Sequence, residues 1–134
     1  MNNQEKKAVL GRYREAERLE REILRWKTGA ERTVEAASWM QEGCASRRAL
    51  EETAAAMQEI ALALADRRRE SCRLRADLEA RIDAVGDPRL RELLRRRYID
   101  GCTWEMISEA MGMSYQWVCK LHGEALNAVP IDRS

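Results

Sequence analysis

Residues 103–127, TWEMISEAMGMSYQWVCKLHGEALN, leave this chain little freedom in what it can fold into. They read as two helices joined by a very tight turn. Thr103 is placed to cap the first helix by accepting from an amide of its first turn, and Glu105 favours the positive helix end. Ile107 and Met111 fall one turn apart on one face, and Gly112 comes next, where a sharp exit needs a left-handed backbone. Apolar Met113 is beside it, and Ser114 can cap a second helix, in which Val118, Leu121, Ala125 and Leu126 recur at helical spacing as the inward side. Ser108 is small where the second helix must cross closely. Apolar residues at 107, 111, 113, 118 and 121, a small one at 108 and glycine at 112 form the helix-turn-helix pattern, whose second helix enters the major groove of DNA. Short helical hairpins with a glycine turn also arise by chance in all-helical domains, but here every one of these positions agrees in a single register.

The rest of the chain also favours helix. It has 134 residues, two prolines, seven glycines and no Phe, and 35% of its residues are charged. The net charge is +1, with 17 basic and 16 acidic residues before Gly86 and 7 of each from there on. No global basic field exists, so any contact with DNA must come from a local patch. The four cysteines, 44, 72, 102 and 119, lack CxxC spacing and fit reduced thiols in a cytoplasm. No apolar run approaches the roughly 18–20 residues of a membrane span, so no membrane partner is expected.

Along the chain, residues 1–3 read as frayed, and a helix is expected from Gln4 to about Lys27, with Val9, Tyr13, Ala16, Leu19, Ile23 and Trp26 along one side. Thr28-Gly29 is expected to end it. Thr33 to Gln41 then reads as a short helix closed by Gly43, the alternative being an ordered loop pinned by Trp39 and Met40. A second long helix is expected from about Arg48 to Val85, carrying Leu50, Ala54, Met57, Ala61, Leu64, Leu78 and Ile82. At the α-helical rise it would extend roughly 55 Å, so antiparallel packing on the first helix or on another subunit is expected. The segment RRRESCR at 67–73 interrupts the apolar seam and reads either as a patch for an acidic partner or as a solvated face. Gly86-Asp87-Pro88 is the clearest boundary: glycine ends one helix, Asp87 caps the next, and Pro88 sits where its missing amide costs nothing. Beyond it three helices are expected, at 88–99, 103–111 and 114–128, with Pro130 stopping the last. The expected fold is therefore all-α: a long antiparallel helical hairpin or coiled-coil region over residues 1–85, then a three-helix helix-turn-helix unit over 86–134.

The run LRRRYIDGCTWEMISEAMGMSYQWVCKLHGEAL, residues 94–126, resembles region 4 of bacterial sigma factors. Arg97, Tyr98, Gly101, Thr103, Ile107, Gly112, Ser114, Val118 and Leu126 carry the likeness. With Asp87-Pro88, the long upstream helix and the charged N-terminal stretch YREAERLEREILR, the chain resembles small phage-encoded sigma-like proteins, its N-terminal half only in general character. The resemblance implies a DNA-binding transcription regulator of phage or prophage origin, acting on double-stranded DNA in the bacterial host cytoplasm, with RNA polymerase as a further implied partner. The chain departs from the family at the start of the recognition helix. There the family is rich in Arg and Glu, whereas this chain has Tyr115, Gln116, Trp117, Cys119 and Lys120. That departure bears on −35-type promoter recognition and not on the fold.

At a DNA surface, Thr103 and Ser114 would hold phosphates through helix N-termini. Gln116 and Lys120 would face base edges, flanked by Tyr115, Trp117 and Cys119. Arg95, Arg96 and Arg97 lie next to the motif, and at most two of them, taken as Arg95 and Arg96, would touch phosphate, with a plain solvated face as the other reading. Cys119 and His122, three apart, could join Cys102 as zinc ligands, but spacing places no fourth ligand. Neither metal nor cofactor is expected, and no nucleophile–base pair or phosphate loop suggests an enzyme. A homodimer is expected from the seam of the second long helix. Two other functions compete: a small terminase-like DNA-packaging subunit, and a helical protein-interaction module without DNA binding.

Overall fold

The computed structural model describes residues 2–39 and 44–131, with no side chains for 37–39 and 44–46. Among the described residues every regular element is helical: α1 (Asn3–Leu10), α2 (Arg12–Trp39), α3 (Cys44–Asp83), α4 (Pro88–Leu94) running into a π-helical turn (Arg95–Ile99), α5 (Trp104–Met111) and α6 (Tyr115–Ala128). The chain forms two compact units, one of Ala16–Ser71 and one combining Met1–Glu15 with Cys72–Ser134.

The helix starts obey local chemistry. Asp87 accepts from the Arg89 amide at 2.9 Å with Pro88 directly after it, Thr103 accepts from Met106 N at 3.2 Å, and Ser114 accepts from Trp117 N at 3.2 Å. Asn2, expected to be frayed, instead caps α1: its side chain accepts from Glu5 N at 2.8 Å while Glu5 accepts from Asn2 N at 3.0 Å. The turn between α5 and α6 is the left-handed exit expected of Gly112, at φ 63°. Gly112 N donates to Glu109 O at 3.3 Å and Met113 N to Ser108 O at 3.0 Å, the Schellman pairing. Ser108 adds a bond from its hydroxyl to Met113 O, which ties the turn to the helix it leaves.

In the larger unit, α6 lies at the centre. Val118, Leu121, Ala125 and Leu126 are buried together with Ile107 of α5, with Leu90, Leu93, Leu94, Tyr98 and Ile99, with Leu78 and Ile82 from the end of α3, and with Val85 just beyond it. The expected division at 85/86 does not coincide with the compact units. Gly86 comes just after the end of α3, but Leu78, Ile82 and Val85 belong to the core of the helix-turn-helix unit. The N-terminus belongs here as well: Leu10 and Tyr13 are in the same core, and Lys6 Nζ donates to Leu126 O at 3.1 Å near the negative end of α6. After α6, Arg81 Nη1 donates to Pro130 O at 2.9 Å and anchors the exit.

In the unit Ala16–Ser71, α2 and α3 pair antiparallel. Glu20 meets Arg68 at 3.4 Å and accepts from Ser71 Oγ at 3.4 Å, while Ile23 and Trp26 share a groove with Ala56, Ile60 and Ala63. Two expectations need correction. Thr28-Gly29 does not end the helix, because Thr28 Oγ1 bonds the Leu24 carbonyl at 3.1 Å and Thr33 Oγ1 the Gly29 carbonyl at 3.0 Å, so both hydroxyls serve inside a helix that continues to Trp39. One glycine costs a helix only about 1 kcal/mol, less than pairing along a partner returns. The separate short helix from Thr33 is accordingly part of α2, and α3 begins at Cys44 rather than Arg48. The expected closure at Gln41 and Gly43 and the anchor at Met40 lie outside the described residues, as does the side chain of Trp39. The arginines at 67–69 are exposed, with Arg68 paired to Glu20 and Arg69 to Asp66, in keeping with a solvated face.

Leu10 is 1% exposed, so Leu10→Ala is expected to cost about 2–5 kcal/mol in urea unfolding. A freely fraying N-terminus would show almost no change. Gly112→Ala is expected to cost about 1–2 kcal/mol from backbone strain alone, because no atom lies near an added Cβ.

Candidate nucleic-acid interface

The buried stripe of α6 sets what its opposite side can show. Tyr115, Gln116, Trp117, Cys119 and Lys120 are all exposed, whereas Val118 and Leu121 are buried. The ammonium of Lys120 lies 5.0 Å from the centre of the Trp117 ring, a cation–π contact between residues three apart. Tyr115 neighbours Cys119 one turn on. That neighbour, electrostatically and through a hydrogen bond, holds the Tyr115 hydroxyl above its ordinary value of 10.0. Met106, 54% exposed, adds an apolar surface on α5.

The hydroxyls of Thr103 and Ser114 are exposed but engaged in capping, so each N-terminus offers a ligand mainly its remaining first-turn amides. Arg95 and Arg96 are held elsewhere. Arg95 pairs with Asp83 at 2.7 Å and Arg96 with Glu92 at 3.0 Å, and both line a shallow depression with Pro88, Arg91, Glu92 and Asp100 that includes no residue of α6. The arginine beside the hairpin is Arg97. Its Nη1 donates to Cys102 O at 2.9 Å, its guanidinium sits 4.3 Å over the Trp104 ring, and its charge acts on both Tyr115 and His122. A signal for this was available in the spacing: Arg97 stands three residues after Leu94, on the inward stripe, and 95 and 96 fall off it.

Spacing alone leaves His122 open as a metal ligand beside Cys119 and Cys102. Its side chain instead turns into the core, 6% exposed, with Nε2 2.7 Å from the Tyr98 hydroxyl and its ring 4.6 Å from that of Trp104. Cys119 on the same helix is exposed. Among the described residues no three His, Cys, Asp or Glu side chains are grouped to hold a metal ion. Burial, and then the charges of Lys7 and Arg97, push His122 down to about 4; burial pushes Tyr98 up to about 12. Both groups are therefore neutral, and one hydrogen bond joins the Tyr98 hydroxyl to His122 Nε2. This pair closes the core between the π-helical turn and α6.

Among the described residues no helix is long and apolar enough to cross a membrane. Comparison with protein-family models, with curated proteins and with solved structures found no match.

Because the folded His122 has a pKa below that of the unfolded chain, the unfolded state binds more protons between about pH 6.5 and 4. Its contribution to stability is complete above that window and is lost as the pH falls through it. His122→Gln, which cannot take up the proton, is expected to lose less stability than the parent between pH 7 and 4.5 in urea titrations. As the chain's single histidine, its ring resonances can also be followed directly by NMR; a midpoint at or above 6.5 would contradict the buried neutral state.

Proposed function

We propose that this chain is a sequence-selective, non-catalytic binder of double-stranded DNA, a transcription regulator like the sigma-type proteins of phage, working in a bacterial host cytoplasm. One observation carries the reading: α6 stands on a fully buried stripe, after a left-handed glycine turn, with Gln116, Trp117, Cys119 and Lys120 turned outward. A helix held in this way can enter a major groove without rearrangement, and amide and ammonium groups can read base edges there. The free first-turn amides of α5 and α6 suit phosphate oxygens. Cations near the face are few, Lys120 and the tethered Arg97, so affinity depends little on counterion release. RNA polymerase is the partner that would add to it.

The unit Ala16–Ser71 would supply self-association. Leu24, Trp26 and Leu62 are 39%, 60% and 63% exposed on it, and a dimer would present two reading helices to successive half-sites. A second reading has its own support. Met106, Tyr115 and Trp117 are large exposed groups close to the turn, and aromatic side chains concentrate at the centres of protein interfaces. On that reading the hairpin docks a protein and not DNA.

Mobility shifts with fragments of the genome that encodes the chain separate the two. A sequence-selective shift is expected, weakened about tenfold or more by Lys120→Glu, with a log–log salt slope of only about −2 to −3. No shift at any salt, with or without RNA polymerase, would leave the interaction module. Light scattering should give a dimer that Trp26→Glu converts to monomer; rings of many copies would instead favour a DNA-packaging subunit.

A further inference from the structure

The side chains on the outward face of α6 form a narrow chemical set. In its first two turns the exposed positions are Tyr115, Gln116, Trp117, Cys119 and Lys120: one amide, one ammonium, two aromatic rings and a thiol. No arginine is among them. The bidentate Arg–guanine pair is the commonest way a major-groove helix specifies a G·C pair, and the nearby arginines lie off this face. Arg97 is bound to the Cys102 carbonyl and stacked on Trp104, Arg95 is paired with Asp83, and Arg96 with Glu92. Lys120 is the one group of the set that can also reach a guanine edge, as a compact charge without the planar arginine fork. The carboxylate that acts on Tyr115, Glu105, belongs to α5, the helix that crosses the backbone in such motifs rather than lying in the groove.

The remaining groups match one base pair. Gln116 carries the donor and acceptor that pair bidentately with the N6 and N7 of adenine. The rings of Tyr115 and Trp117, 48% and 42% exposed, and the Cys119 thiol offer apolar surface, and the thymine C5-methyl is the apolar group that a major groove presents. Cys119 comes after Tyr115 at i+4 and Lys120 after Gln116 at i+4, so the two kinds of contact form adjacent rows along the helix.

We propose that α6 reads A·T pairs in the major groove, with Gln116 specifying adenine and Tyr115, Trp117 and Cys119 seated on thymine methyl groups. This rests on the DNA-binding reading above and specifies its substrate. It also makes the preferred site sensitive to a single carbon: uracil, which pairs as thymine does but lacks the methyl, should be a poorer ligand.

The test is selection of duplexes from a random pool with the full-length chain, followed by atom-by-atom replacement in the selected site. Consecutive A·T pairs are expected at the core. Uracil for thymine at the contacted positions should weaken binding about fivefold or more, and this penalty should shrink in Trp117→Ala, which leaves only the Tyr115 and Cys119 contacts. Replacing contacted adenine by 7-deazaadenine, which lacks N7, should weaken the parent by a similar factor and leave Gln116→Ala unaffected. Both substitutions lie on the exposed face, and circular dichroism melting of each variant checks that the fold is kept; should Trp117→Ala melt early, Gln116→Ala carries the test. A selected core of G·C pairs, or uracil and thymine duplexes bound equally, would overturn the A·T assignment while leaving DNA binding in place. Failure to select any duplex would overturn both.

Discussion

The apolar stripe of α6 is the constraint on which the rest of the structure depends. Val118, Leu121, Ala125 and Leu126 are each at most 1% exposed, and α1, α4 and α5 all pack against this one helix. Burying a large aliphatic side chain is worth about 1.5–3 kcal/mol. Rotating α6 by even a quarter turn would forfeit several such terms in a domain whose whole stability is of order 5–15 kcal/mol. The orientation of the opposite face is thus set by the core, and its side chains can vary without disturbing the scaffold that presents them. The same logic gives Gly112 its importance, because a left-handed residue there lets α6 turn back onto Ile107 within two residues.

Close to this turn the core is not wholly apolar. Tyr98, His122, Trp104 and Arg97 form a seam in which each polar group has a defined partner: phenol to imidazole, guanidinium to the Cys102 carbonyl and the indole face. A buried polar group left without its partner costs about 1–3 kcal/mol, and among the described residues no buried side-chain nitrogen or oxygen lacks one. The π-helical turn at Arg95–Ile99 contributes to this arrangement. Its wider turn, with about one more residue per turn, brings Tyr98 and Ile99 inward together, and Asp100 N and Cys102 N reach the carbonyls of Arg95 and Arg96. Gly101, at φ 73° and under the guanidinium of Arg14, then leads the chain into α5.

The unit Ala16–Ser71 is held by different means. Ala16 and Leu64 are its buried apolar side chains among the described residues, with Ser71 as a buried hydroxyl. Ion pairs such as Arg21–Glu17 and Arg69–Asp66 are largely solvent-exposed and contribute at most a fraction of a kcal/mol each. Two helices alone have one shared seam, and with so little burial along it the exposed Leu24, Trp26 and Leu62 are where further stabilisation can come from.

How much of this could be read from the residues alone divides along a physical line. The all-α class, the caps at Asp87, Thr103 and Ser114, the left-handed turn at Gly112 and the inward set of α6 depend on interactions within a few residues, and sequence spacing encodes those directly. Other features depend on which surfaces meet. The N-terminal helix joins the core of α6 because Leu10 is buried in the same cluster and Lys6 finds the Leu126 carbonyl 120 residues away. Arg97, not Arg95 or Arg96, stands beside the hairpin because of what Trp104 and Cys102 offer it, and His122 becomes a core residue because Tyr98 reaches it. Thr28-Gly29 is carried through as helix because a local preference of about 1 kcal/mol yields to packing along a whole partner helix. The sequence by itself determined the local elements and most of their ends, through short-range hydrogen bonds and the helical period. Only the tertiary structure decided which faces are covered and which polar groups remain outward, because burial is a long-range sum that no single stretch of chain contains.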